Sequence, residues 1–172
     1  GAEMGGGGVK ELTQVRNAVT AALQSAGLTA MTAFPAERAR AYAGAVAAVA
    51  VETAQGKAMG FCNYLGEARD GGTGALREVY GKQLEGVVTV DIRGRRAAEC
   101  EAGAEIAAEV LLGELPAGIR PGELRWEALI WERETGMFLR RGRLQCRAFF
   151  TAESREDGEA FLDFILKGVM SN

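Results

Sequence analysis

The chain has 172 residues, a net charge of −3, 48% hydrophobic and 25% charged residues, and no histidine. Such a composition belongs to an ordinary globular protein of one domain, able to bury roughly 70% of its unfolded surface. Without histidine there is no Ser-His-Asp or Cys-His pair and no imidazole metal ligand, and the mild acidity gives no overall pull toward nucleic acid or anionic lipid.

Residues 1–8 (GAEMGGGG) carry no pattern; those before Met4 read as a tag remnant, and Gly5 to Gly8 as a mobile linker. From Val9 the pattern is helical. Leu12, Val15, Val19, Leu23 and Ala26 recur at three- and four-residue steps, and Gly27 supplies a left-handed stop. Thr29 to Phe34, ended by Pro35, reads as a first strand, and Glu37 to Tyr42 as a short helix or connection. Gly44 to Thr53 is alanine-rich, which favours helix, but Val46, Val49 and Val51 between glycines favour a buried strand, and strand is the reading adopted. The glycines from Gly56 to Gly74 suggest strand remnants around one long mobile loop.

Leu84 to Ile92 alternates, with Leu84, Val88, Val90 and Ile92 on one side and Val87, Thr89 and Asp91 on the other. Arg95 to Leu115 is a helix whose packing face uses Ile106, Val110, Leu111 and alanines. Its Glu101, Glu105 and Glu109 form an acidic stripe at four-residue spacing. Pro116, Gly118, Pro121 and Gly122 mark a turn. Leu124 to Thr151 then reads as two alternating runs joined at Glu134-Thr135-Gly136. In the second run Leu144, Cys146, Ala148 and Phe150 face one way, and Arg143, Gln145 and Arg147 the other. A cap at Ser154 or Asp157 and the apolar Phe161, Leu162, Phe164 and Ile165 suggest a last helix over about 156–168. Strands and helices mix without strict alternation, so the expected fold is α+β: one domain over 9–172, an antiparallel-rich mixed sheet with helices mainly on one face.

Cys62, Cys100 and Cys146 are odd in number and widely spaced, which fits neither a disulfide framework nor a zinc site and points to a reducing compartment. Cys100 and Cys146 sit among core positions. No apolar run approaches the ~20 residues that cross a bilayer, and no signal peptide opens the chain. Gly71-Gly72-Thr73-Gly74 lacks the lysine and hydroxyl of a phosphate loop. No cofactor, metal or catalytic residue is assigned. A carboxylate or lysine enzyme would need strongly shifted pKa values.

What remains is surface. Arg93, Arg95 and Arg96 close one strand, and Arg140, Arg141, Arg143 and Arg147 decorate another. They either form one positive patch or are solvated edge arginines paired with glutamates such as Glu127 or Glu132. A nucleic-acid site is disfavoured, because interleaved aromatics are missing. Trp126 and Trp131 differ in parity, so one is expected in the core and the other exposed, with the composition of an interface hot spot. Glu101, Glu105 and Glu109 are either a solvated face or the match for a neighbouring subunit's arginines.

Two stretches, REVYGKQLEGVVTVDI (Arg77 to Ile92) and the hairpin ending TGMFLRRGRLQCRAFFT, with a cysteine-containing helix between them, resemble the tail terminator (tail-completion, head–tail joining) proteins of phages and prophages. The likeness covers roughly Leu12 to Thr151 in element order. It implies a subunit of a hexameric ring on the tail tube that docks to tail-tube and head-connector proteins, with no catalysis. Such a protein is cytoplasmic during assembly and then part of the virion tail. An acidic helix and an arginine-rich strand on one subunit suit a head-to-tail ring. A small ligand-binding or regulatory domain, which needs a closed apolar pocket with converging polar groups, and the histidine-free enzyme stay as alternatives.

Overall fold

Apolar residues at four-residue steps give α1 (Val9–Ser25) one buried stripe of Val15, Val19 and Leu23. The helix stops as Gly27 turns left-handed (φ 97°): the Gly27 amide donates to Gln24 O and the Leu28 amide to Leu23 O, the paired closure of a Schellman end. The structure is a computed structural model that describes residues 9–55, 63–69, 72, 74, 76–154 and 163–169. After α1 come β1 (Thr29–Met31), a short 3-10 helix (Ala36–Ala41), β2 (Val46–Gln55), β3 (Asn63–Arg69), β4 (Leu76–Gly94), α2 (Ala97–Gly113), β5 (Ile119–Trp126), β6 (Ile130–Glu132), β7 (Met137–Ser154) and β8 (Ile165–Leu166).

All eight strands join one sheet of order β1-β2-β4-β7-β5. Only β1–β2 is parallel, so the fold is α+β with a mixed, mostly antiparallel sheet. The two long strands pair without a register shift from Glu78↔Ser154 to Gly94↔Phe138. On their outer edges shorter strands are set end to end: β2 and β3 along β4, and β6, β5 and β8 along β7.

Both helices cover the face that carries Val49, Val88, Val90, Ile92, Leu144, Cys146, Ala148 and Phe150. The sheet-facing side of α2 is small: Cys100, Gly103, Ala104 and Ala107, with Val110 and Leu111. Gly103 permits the approach, since a Cβ there would fall 2.9 Å from the Ala45 Cβ and 3.0 Å from an Ile92 methyl. Ile106, expected on this packing face, is instead exposed, because the residues that turn inward are the small ones four apart from Cys100.

Three further expectations change. Asn63–Arg69 is one full strand on β4, more than the strand remnants expected there, because β4 extends back to Leu76 and offers an edge to pair with; 56–62, 70, 71 and 73 of the expected loop lie outside the described residues. Pro121 and Gly122 fall inside β5, at a bulge between Pro121 and Leu124, where an edge strand tolerates a missing amide. Of the expected last helix, 156–162 lie outside the described residues. Ile165 and Leu166 are strand on β7, and Phe164 is buried beneath α1 and Lys82.

Side chains from α1 hold that last segment. The Gln14 amide donates to Phe164 O at 2.7 Å and accepts from the Leu166 amide at 2.8 Å, acting as one more strand edge. Lys10 pairs with Asp163. Below it the nearly buried Lys82 meets Glu11 at 2.5 Å, with its ammonium 5.0 Å from the Phe164 ring centre. Gln14→Ala orphans two backbone groups of a buried segment, and should cost about 1–3 kcal/mol. Amide exchange at Leu166 should accelerate more than at Val88; equal protection at both would show that Gln14 does not hold β8.

Candidate interaction surface

The reverse face of the sheet is set by the other parity of β4 and β7. Glu85 lies opposite Arg147, Thr89 opposite Arg143, Asp91 opposite Arg141 and Arg93 opposite Leu139. These are nearest neighbours across an antiparallel pair, so charges there must be complementary. Arg141 grips Asp91 with two bonds of 2.6 and 2.8 Å, and Arg147 reaches Glu85 at 3.1 Å. The Asp91 hydrogen bond, above all, pushes the Arg141 pKa up. Arg143 takes Glu127 at 2.6 Å and also Glu52, the extra residue of a bulge in β2; both carboxylates, Glu127 first, raise its pKa. The arginine-rich strand is therefore a ladder of internal ion pairs on an interior strand of the sheet.

Arg93 has become structural. It forks onto Glu132 at 2.8 and 3.1 Å while its guanidinium lies 4.5 Å from the Phe34 ring centre. The Arg93 hydrogen bond is the chief reason the Glu132 carboxyl titrates below its ordinary range; Thr135, at 2.7 Å, adds to it. Arg140 faces the helix side, donating to Glu101 at 2.8 Å and to Glu127 O at 3.1 Å beside the Trp126 ring. Arg95 donates to Arg40 O, and the exposed Arg96 precedes α2, where Glu99 accepts from its amide at 3.3 Å. Glu101 thus has its basic partner within the chain. Glu105 and Glu109 are exposed and meet no basic side chain among the described residues.

Trp126 packs against the core and Trp131 is exposed, as expected, but not because the two occupy opposite faces. Residues 127–129 interrupt the strand and insert one extra residue, so the alternation flips: Trp126 lies opposite Gly142 and Trp131 opposite Phe138, both on the helix side. Trp126 is half-buried against the core, resting on Gly142, where a Cβ would meet the ring at 2.8 Å. Trp131 is 55% exposed and meets Phe138 edge-on, ring centres 5.0 Å apart; its neighbour Ile130 is also open. Spacing missed Ile130, Ile106 and Leu112 as exposed apolar residues, and the exposed Arg133 beside Trp131. Each sits in an apolar or charged run whose inward side is decided by packing alone.

The chemistry elsewhere is quiet. The Cys100 thiol donates to Ile92 O, and burial, with Glu101 second, pushes its pKa up to about 11; burial does the same for Cys146. Both thiols stay protonated at neutral pH. Cys62 lies outside the described residues. Among the described residues no three His, Cys, Asp or Glu gather to hold a metal, and no helix is long and apolar enough to cross a membrane. A shallow apolar cleft, open to solvent and with a cavity volume of only about 20 Å³, lies between Leu12 and Val15 of α1 and Val51, Leu84, Val88 and Cys146 of the sheet; Glu85 is its one ionisable carboxylate, shared with Arg147.

No protein-family model matches the chain, and no curated protein matches it. Among solved structures it is similar to a chain of the "Virion of native gene transfer agent (GTA) particle", at 19% identity and a TM-score of 0.34, over 80% of this chain and 94% of that one.

Two outcomes are expected. Gly142→Ala should drive Trp126 off the sheet and cost about 1–3 kcal/mol in urea denaturation; combined with Trp126→Leu the loss should shrink, and an unchanged loss would show that the ring does not lie on Gly142. The depressed Glu132 pKa means its stabilisation is complete above the ordinary carboxylate range and lost as pH falls through the lower folded value. Glu132→Gln should therefore flatten the acid limb of the stability–pH curve, and an acid limb identical to the parent's would count against the Arg93 pairing.

Proposed function

We propose that the protein is a structural subunit of a phage-type particle, a tail terminator that joins a ring at the tail end or the head–tail junction. One observation carries this reading: the sheet's charges are closed on one another while large apolar side chains, Ile130, Trp131, Ile106 and Leu112, are left in solvent. Such a surface suits other proteins. The described cleft lacks the converging polar groups that a small-ligand site uses to orient its occupant. The reading needs no cofactor, membrane or nucleic acid.

Its partners are copies of the same chain, in a ring of six by the family resemblance, together with the tail tube and the head connector. Assembly takes place in the cytoplasm, and the finished protein resides in the tail. Of the residues proposed for contact, Trp131, Arg95, Arg96, Glu105 and Glu109 face solvent. Arg93, Arg140, Arg141, Arg143, Arg147, Glu101 and Trp126 act through internal contacts that shape the subunit. A host lacking the gene should release heads without joined tails, or tubes of uncontrolled length, by electron microscopy. Particles of normal length and joining, free of the protein, would end the proposal.

A further inference from the structure

Val169 apart, the exposed large apolar residues of the described chain fall in two separate places, and their charged neighbours are opposite in sign. The first place is one end of the sheet. Gly94 of β4 lies opposite Phe138 of β7, which lies opposite Trp131 of β6, so one row leads from the start of α2 to the sheet edge. Ile130 and Trp131 are more than half exposed there. Arg133 and Glu134 follow them in the chain, and Arg95 and Arg96 follow Gly94 at the other end of the row; the three arginines are exposed and none is ion-paired with a described residue.

The second place is the outward side of α2. Ile106 is 38% and Leu112 52% exposed, and between and beside them lie Glu105, Glu109 and Glu114. The helix contains no lysine or arginine, so nothing on it offsets the acids or the negative end of its own dipole. Exposed glutamates four residues apart repel each other unless a cation from elsewhere sits between them.

We infer that the Trp131 end of one copy docks on the Ile106–Leu112 face of α2 in a second copy, with Arg133 and Arg95 set among Glu105, Glu109 and Glu114. The occupant is a second copy because the two surfaces match in both apolar content and charge, and one chain carries both. Where each copy offers one face to each of two neighbours the contact is head-to-tail, and it closes into a ring or runs on as a filament. The inference rests on the ring reading above and adds the faces that build it.

Blocking each face separately tests it. One variant combines Trp131→Ser with Arg133→Glu, and the other Ile106→Arg with Glu109→Lys; all four positions are exposed, and circular dichroism of each variant checks that it folds. By sedimentation velocity the parent should form higher oligomers and each variant alone should be a monomer. Mixed, the two should give a 1:1 dimer, since one intact pair of faces remains. Either variant assembling alone like the parent, or a mixture that stays monomeric while the parent assembles, overturns the inference. So does a parent that is monomeric at every concentration. The virion reading would survive that last result, because it stands on the particle phenotype of the gene deletion.

Discussion

The unbroken pairing of β4 with β7 is the constraint from which the rest of the structure follows. Seventeen consecutive residue pairs run without a bulge, and every one fixes which side of the sheet its two side chains occupy. Valines and leucines fall under the helices, and Glu85, Asp91, Arg141, Arg143 and Arg147 fall behind them. A slip of one residue would exchange the two sets, placing three arginines against Cys100 and Ala107 and exposing Val88 and Leu144. The ion pairs follow from the register more than they enforce it: half-exposed pairs contribute little each, whereas burying unpaired arginines would cost far more.

Irregularity is confined to the flanking strands. β2, β3 and β5 each carry a bulge, and a further inserted residue separates β5 from β6. Bulges add twist and spoil an edge as a template for pairing. On β5 the missing amide of Pro121 and the exposed pair Glu123 and Arg125 reinforce this. Backbone pairing with another chain along that edge is therefore opposed. The inserted residue also turns Trp131 to the helix side of the sheet, beside the row that leads to the start of α2.

Much of this was legible in the chain. The alternation of Leu84 to Ile92 and of Leu144 to Phe150, the α1 stripe ending at Gly27 and the extent of α2 all depend on local periodicity, which the sequence carries in full. The choice of strand for the alanine-rich Gly44 to Thr53 held because Val46 and Val49 are buried against a neighbouring strand. What failed depends on partners distant in sequence. Asn63–Arg69 is strand only because β4 begins early, and Ile165–Leu166 only because Gln14, 152 residues from Leu166, caps its edge. The parity of the two tryptophans was misleading because one inserted residue is invisible to a count that assumes a continuous strand. Among the arginines, spacing put seven in one class. Only register tells Arg141, locked on Asp91, from Arg95, exposed and without an ion pair to a described residue at the sheet's end.

That distinction bears on how a mildly acidic subunit acquires directional surfaces. Net charge says nothing of direction; what matters is which charges are left after internal pairing. Here the pairing consumes Asp91, Glu132, Glu52, Glu127 and Glu85 on the reverse face and Glu101 on α2. It leaves cations at the end of the sheet and acids along the outer half of α2, each beside exposed apolar side chains. On the docking inferred above, like ends of two copies would repel and unlike ends attract, so the ladder that stabilises the sheet would also sort head from tail. On that inference, an arginine on the reverse face that lost its carboxylate would add a further unpaired patch and weaken the directional character, even though no proposed contact residue had changed.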